Sequence, residues 1–373
     1  MRKFSHVFCF QVMLGVALSL TAQAQTSNPT APELKAGQEY KFVSTTKTST
    51  FEKELQAVAA EGYRFIRLSK AFNDLGVSGL LAREPLASGE AAKPRYEYKV
   101  LATNRLSTMK KELEESSAQG YEFRGITTQA KWAPFTYPET LIVMERPAGT
   151  AKKRFAYRFI SAQKESSVQK ELDTAVSEGF EPVEMIFGED VNKFSVLFGS
   201  GFNYHTTIVL VRNADAPAAE MGKREYRYLS TTKVGTMEKE MNQSAKEGFE
   251  FHLASIGSIA LMMRPRGEKT PRYTYTLLAT RRTGTMQKEL AETGKQGLLF
   301  LGTSSGAGGL VSIMEKNLKL EGSPQYDYKF LGTTLESTTQ KEINESLNDG
   351  YRFIEISSFN ERVIVLGKLQ GAK

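Results

Sequence analysis

The sequence repeats one pattern six times, and this repetition constrains the fold more than any other feature. Each copy contains a Lys-Glu pair, a glycine eight residues after the Glu and a tyrosine fourteen residues before it. The pairs are Lys53-Glu54, Lys111-Glu112, Lys170-Glu171, Lys239-Glu240, Lys288-Glu289 and Lys341-Glu342. Because six copies in one register are not expected by chance, the sequence predicts a protein built from repeated structural units.

The segment around each repeated tyrosine has the period of a β-strand. In the second copy, Tyr96, Tyr98 and Val100 share one face, whereas Glu97 and Lys99 share the other. This alternation predicts a first strand with one buried face and one face in water. The tyrosine is expected in the core, with its hydroxyl at the rim.

A helix is predicted next. The hydroxyl of Ser107 or Thr108 could accept the free amides of its first turn, so either residue is a candidate N-cap. The repeated Glu is expected in the first turns, where the helix dipole favours a negative charge. The glycine, such as Gly120, is expected to end the helix in the left-handed conformation. A helix of about 12 residues is marginal alone and needs a sheet to pack on.

Two further strands are predicted after the glycine. The second opens with an aromatic pair, such as Tyr121 and Phe123, in four copies, whereas Pro182 and Leu298 break the pattern in copies three and five. The third is apolar at every position, as in residues 141–144, which is typical of a central strand.

Each copy therefore reads as strand, helix, strand, strand. Because such crossovers are right-handed, the first two strands are expected to be parallel, with the third between them and antiparallel to both. The predicted fold is α+β: six tandem β-α-β-β repeats, each a three-stranded sheet of order 1-3-2 with one helix on one face. The exposed edges favour packed neighbours, either paired into three domains or stacked in one array, and pairs are preferred.

The predicted boundaries divide the chain into eight segments. They are a signal peptide (1–24), a flexible leader (25–37) and repeats at 38–84, 95–147, 154–213, 224–265, 272–316 and 325–369.

The first residues are typical of a secretory signal. Arg2 and Lys3 form a basic start, residues 7–20 are mostly apolar, and Ala22-Gln23-Ala24 is a small-x-small cleavage site. The sequence therefore predicts an exported protein, periplasmic or extracellular. Its single cysteine, Cys9, lies inside the signal, so the mature chain is expected to contain neither disulfides nor thiolate chemistry.

The charge balance gives little indication of a partner. The sequence carries 49 Lys and Arg against 42 Asp and Glu, a net charge of +7, and loss of Arg2 and Lys3 with the signal leaves +5. Because the two signs are interleaved, a specific nucleic-acid partner is not expected. No second apolar run reaches the length of a bilayer, so no transmembrane anchor is expected after cleavage.

The second copy resembles a small bacterial domain of unknown function. The resemblance rests on Tyr96-Glu-Tyr-Lys-Val100, Lys111-Glu-Leu113, Gly120-Tyr-Glu122 and Met144-Glu-Arg-Pro147. It extends to all six copies and is clearest in the second and fourth. The chain departs from the domain's pattern in having no Trp after the helix glycine. The resemblance implies neither an activity nor functional residues.

No constellation of residues predicts catalytic residues, a metal site or a cofactor. Adjacent helical residues do not face each other, so a structural role is favoured for the Lys-Glu pair. After the signal, only His205 and His252 remain, in different copies, and neither a zinc site nor a His-based triad is expected. Residues 302–309 lack the Lys-Ser/Thr ending of a phosphate loop and are expected to form a hairpin turn.

Copies two and three carry long insertions between their last two strands, and these are the candidate binding elements. Aromatic residues on loops of a rigid scaffold are typical of binding sites, although they could instead cover the contact between neighbouring repeats. The candidate binding residues are Trp132, Phe135, Tyr137, Phe198, Phe202 and Tyr204.

Three functional hypotheses follow from these features. The first is a non-enzymatic binding or interaction module at the cell envelope, with an envelope glycan, peptide or protein as partner. The second is a carboxylate-dependent hydrolase acting in a cleft between repeats, for which Glu189 and Asp190 are the local acidic pair. The third is a purely structural component of the envelope.

Overall fold

The computed structural model describes most of the repeat-containing part of the chain. The described residues are 38–71, 76–83, 93, 95–103, 105–129, 139–149, 154–162, 164–189, 204–215, 222–231, 233–255, 257–280, 282–306, 309–320, 324–333, 336–359 and 361–370. The predicted signal peptide and leader lie outside them. Within those ranges, no helix combines the length and the apolar character needed to cross a membrane.

The described elements follow the predicted order in every repeat. Repeats one to three contain β1 (Glu39–Thr45), α1 (Thr48–Ala60), β2 (Arg64–Leu68), the short β3 (Lys70–Ala71) and β4 (Val77–Arg83); β5 (Tyr96–Thr103), α2 (Leu106–Ala118), β6 (Glu122–Gln129) and β7 (Glu139–Pro147); and β8 (Phe155–Ser161), α3 (Glu165–Ser177), β9 (Glu181–Glu189) and β10 (Tyr204–Asn213).

Repeats four to six contain β11 (Arg224–Ser230), α4 (Val234–Lys246), β12 (Glu250–Ser255) and β13 (Ile259–Pro265); β14 (Tyr273–Thr280), α5 (Thr283–Lys295), β15 (Leu299–Gly306) and β16 (Gly309–Asn317); and β17 (Tyr326–Thr333), α6 (Glu336–Asn348), β18 (Arg352–Phe359) and β19 (Glu361–Leu369).

Each repeat forms a sheet in which the third strand lies between the first and the second and is antiparallel to both. Six such three-stranded units, each with one helix, confirm the predicted α+β fold with order 1-3-2. The glycine-rich stretch lies in the predicted hairpin, because β15 ends at Gly306 and β16 begins at Gly309.

The helix ends as predicted but begins differently. Gly120 has a φ of 88° and donates to the carbonyl of Ser117, which confirms the left-handed stop. The N-cap of α2 is Arg105 and no side chain caps it, so the prediction of a hydroxyl cap at Ser107 or Thr108 is wrong: both lie inside the helix. Glu112 is the seventh residue of α2, beyond the first turn, so the predicted dipole role is also wrong.

A β-bulge recurs at one position in the second strand of each repeat. In repeat one the pairing register with β4 shifts between Phe65 and Arg67, so Ile66 has no partner of its own. The equivalent residues in the other repeats are Arg124, Val183, His252, Leu301 and Ile354. Sequence alternation alone gave no sign of this extra residue.

Each helix packs between its own sheet and the sheet of the next repeat. One core joins Phe51 and Leu55 of α1 to Tyr98 of β5, and the next joins Leu101 of β5 to Leu113 of α2. Both faces of a sheet are therefore covered, which explains why the third strand is apolar throughout. The predicted wet face of the first strand is found only in part: Glu97 and Lys99 are partly exposed, whereas Leu101 on the same face is buried.

The last repeat packs on the first. The side-chain amide of Gln340 in α6 donates to the Tyr40 carbonyl at 3.1 Å and accepts from the Phe42 amide at 2.7 Å. A mixed core joins the two repeats, and β3 pairs in parallel with β18. Six shared cores, one for each pair of neighbours, make the repeats a continuous cyclic array instead of three separate pairs.

Candidate functional site

All described repeats point the same end of their sheets towards one face of the array. The first strand leads into the helix and the second leads into the third, so both connections lie at the same end of each repeat. Equivalent second-strand positions meet across neighbours: the Thr127 hydroxyl donates to the Ser69 carbonyl, and the Ser304 hydroxyl to the Ser255 carbonyl. The helix N-termini and the turns between strands two and three therefore share one face.

The two aromatic insertions begin and end on this face in neighbouring repeats. The first connects Gln129 to Glu139, and the second connects Glu189 to Tyr204, which is paired with it. The candidate residues Trp132, Phe135, Tyr137, Phe198 and Phe202 lie outside the described residues, as does Asp190. Tyr204 is the first residue of β10.

The ends of the first insertion are hydrogen-bonded to the neighbouring repeat. The side-chain amide of Gln129 donates to the Thr46 carbonyl at 2.8 Å, and the hydroxyl of Thr48 donates to the Glu139 carboxylate at 2.9 Å. The start of α1 thus fixes the position from which the insertion leaves the scaffold.

Polar side chains of five helices form hydrogen bonds with the backbone of the first strand of the next repeat. Gln287 of α5 shows the arrangement, since its amide donates to the Tyr328 carbonyl at 2.7 Å and accepts from the Phe330 amide at 2.6 Å. We call these contacts the edge bonds. The other residues that form them are Gln56, Glu52, Gln169, Asn242, Glu238 and Gln340.

The interface between repeats two and three lacks the edge bonds in the part of the chain that the structure describes. Lys110 occupies the position of Gln287, and it lies 3.8 Å from Glu114 on the surface of α2. Among the described residues of α2, Ser117 is the side chain that is hydrogen-bonded to the neighbouring strand, where it accepts from the Phe155 amide. This interface joins the two repeats that carry the insertions.

The repeated tyrosine is buried at the interface, and the prediction that its hydroxyl reaches the rim is wrong. The hydroxyl accepts a hydrogen bond from the backbone amide beside the bulge of the preceding repeat. The four pairs are Phe65 with Tyr98, Phe123 with Tyr157, Phe251 with Tyr275, and Phe300 with Tyr328. At the fourth repeat the amide is missing because residue 182 is proline, and the buried Tyr226 hydroxyl lies near the Arg224 guanidinium without a hydrogen bond of good geometry to any described residue.

The basic residue at the end of the third strand also has a scaffold role. Arg264 donates to the Glu247 carbonyl at the C-terminus of α4 at 2.6 Å, and its guanidinium lies 4.3 Å from the centre of the Phe249 ring. Arg83, Arg146, Arg212 and Lys368 make the equivalent bonds. The positive charge is thereby placed where the helix dipole is negative.

A groove of about 1140 Å³ runs along α3 and the edge of β11. Lys164 and Glu165 lie at one end, and Arg224 and Arg266 lie at the other. Burial and the nearby Glu240 raise the pKa of the Glu165 carboxyl. The groove combines both charges in a concave surface, and the sequence gave no indication of it because its two walls belong to different repeats.

His252 is buried and does not form part of a cluster of metal ligands. Its Nε2 lies 3.0 Å from the Pro182 carbonyl, and burial lowers its pKa to about 4. In the described ranges, no group of three or more His, Cys, Asp or Glu side chains could hold a metal ion.

Comparison with known proteins adds no relative: no protein-family model matches the sequence, and no curated protein matches it. The resemblance to a small bacterial domain of unknown function therefore stays a prediction.

Proposed function

We propose that the chain is an exported, non-enzymatic binding module of the cell envelope. The observation that carries this proposal is that the repeated residues and the unrepeated insertions have different roles. The repeated tyrosine, the helix glycine and the terminal arginine all serve the scaffold. The two aromatic insertions serve no need that the other four repeats share, and they leave neighbouring repeats on one face.

Export is part of the same proposal and rests on the basic start, the apolar run and the Ala22-Gln23-Ala24 site. It predicts that the mature protein begins near Gln25. Sequencing of the N-terminus of secreted material tests this point, and recovery of mature protein that still carries Met1 would contradict it.

The partner class that fits is an envelope glycan, peptide or protein. Rigid aromatic side chains such as Trp132 and Phe135 often contribute most of the binding energy at such surfaces. The groove beside α3 supplies charges of both signs, which favours a polar partner over a purely apolar one.

The test is retention on isolated envelope or cell-wall material. The double variant Trp132→Ala with Phe135→Ala should lose retention while its circular dichroism and unfolding midpoint stay unchanged. The matched control is Leu318→Ala with Leu320→Ala, because these residues are exposed apolar side chains that follow β16 at the opposite end of the scaffold.

Two results would contradict the binding proposal. One is unchanged retention of the double variant. The other is a loss of several kcal/mol of stability, as expected when core aromatics are truncated, which would mean that the loop covers the interface. The hydrolase hypothesis stays a prediction, and Glu189 of its acidic pair is the last residue of β9.

A further inference from the structure

Two interfaces of the array place a glutamate at the same position and surround it differently. Glu145 is paired with Tyr98 across the strands of repeat two, and Glu315 is paired with Tyr275 in repeat five. In both repeats the tyrosine hydroxyl donates to the carboxylate at 3.0 Å. The two sites therefore differ only in the other side chains that surround the carboxyl group.

Arginines neutralise the first carboxylate. Glu145 is fully buried, and its Oε1 lies 2.9 Å from Arg64 of repeat one and 2.8 Å from Arg124 of its own repeat. A buried carboxylate with two guanidinium partners and a hydroxyl donor has its charge compensated at every oxygen. The interface between repeats one and two is therefore built around a carboxylate with two arginine partners.

The second carboxylate has lost both partners. Glu250 occupies the position of Arg64, the second residue after the helix glycine, and Leu301 occupies the position of Arg124. Where the first interface has two cations, the second has a carboxyl group and a buried apolar side chain. Ionised Glu315 would be a buried charge beside a like charge, which is costly.

The other groups that face Glu315 compensate this charge only in part. Arg272, just before β14, lies 3.4 Å from Glu250, and its Nε and one Nη atom are buried without a hydrogen bond to described residues. Tyr273 on β14 and Tyr326 on β17 complete the surroundings. Burial and Glu250 raise the pKa of Glu315 to about 7, against the opposing effects of Tyr275 and Arg272.

We propose that the interface between repeats four and five is a pH-dependent joint, which is held closed by the protonated Glu315 carboxyl and loosens when that proton is lost. The proposal is independent of the binding role. In the closed interface the Glu315 carboxyl keeps its proton up to a higher pH than it does in the open, hydrated interface. Opening therefore becomes easier as the pH rises from about 4.5 to about 7, and it changes no further above that range.

Three backbone amides report directly on this joint because their hydrogen bonds to described residues run across it. The Tyr275 and Leu277 amides donate to Asn242 and Glu238 of α4, and the Phe251 amide donates to the Tyr275 hydroxyl. The matched reference at the interface between repeats one and two consists of the Phe65 and Val100 amides, which make the equivalent bonds.

The experiment is site-resolved amide hydrogen exchange on the full mature chain, corrected for intrinsic rates. Between pH 5 and pH 7.5 the opening constant for the Tyr275 and Leu277 amides should rise by about 60-fold, which follows from the difference between a closed-state pKa near 7 and an ordinary Glu. The Phe65 and Val100 amides should show no comparable rise. The variant Glu315→Gln should keep the joint protected at both pH values.

A second variant and a second measurement keep the test decisive if Glu315→Gln does not fold. Leu301→Arg returns the arginine found at position 124 and should remove the pH dependence of the joint. Titration of the Glu315 carboxyl by ¹³C NMR should give a midpoint near 7. A midpoint near 4.5, or equal changes at both interfaces, would overturn the proposal.

Discussion

Removal of the Tyr328 hydroxyl tests how neighbouring repeats are held together. In Tyr328→Phe, the Phe300 amide and the Leu298 carbonyl lose partners at 2.8 and 2.9 Å in a buried interface. An unsatisfied buried polar group costs about 1–3 kcal/mol, so the variant should lose about 2–3 kcal/mol of unfolding free energy. Urea unfolding followed by circular dichroism measures the loss.

The fourth repeat offers a natural control for this variant. The Tyr226 hydroxyl lacks the backbone partner because Pro182 has no amide hydrogen, and it makes no hydrogen bond of good geometry to a described residue, so Tyr226→Phe should change the stability by less than about 0.5 kcal/mol. Equal losses for both variants would refute the reasoning, because the cost would then come from the removal of any tyrosine hydroxyl. An unaffected Tyr328→Phe variant would refute it as well.

Three further predictions follow from the same structure. Lys110→Gln should create the missing edge bonds at the interface between repeats two and three and raise the unfolding free energy in urea by about 1–2 kcal/mol, whereas Gln287→Lys should lower it. Gly120→Val should cost on the order of 1 kcal/mol or more in the same assay, because valine resists a φ of 88°. The buried, neutral His252 contributes stability that is present above pH 6.5 and is lost as the pH falls towards 4, by up to about 3 kcal/mol; His252→Gln should flatten that acid limb of the unfolding profile.

The elements of one repeat could be predicted because their signals are local. The alternation around Tyr98, the apolar third strand and the glycine at position 120 each follow from neighbouring residues and from the handedness of crossovers. The start of the helix was misplaced because a hydroxyl pair resembles a cap, whereas the chain begins the helix two or three residues earlier, after a basic residue.

The contacts between repeats could not be predicted in the same way. Gln340 bonds to β1 across about 300 residues of sequence, and on its own it reads as an ordinary polar helix residue. The repeated position that forms the edge bonds lies two residues before the repeated Glu, and its preference for Gln or Glu was a signal that could have been noticed. The groove beside α3 and the carboxyl group of Glu315 depend on pairs of repeats, so no single copy contains the information.

Closure of the array is the central structural claim, and distances between spin labels test it most directly. Cysteines that carry spin labels can replace the exposed Lys53, Lys111, Lys239 and Lys341, which occupy one position in four repeats, in a chain that starts at residue 25 and has no other cysteine. In a closed array, the distance from position 53 to 341 should match that from 53 to 111 and be shorter than that from 53 to 239. An open array would make the distance from 53 to 341 the longest of the three, and that result would contradict the account.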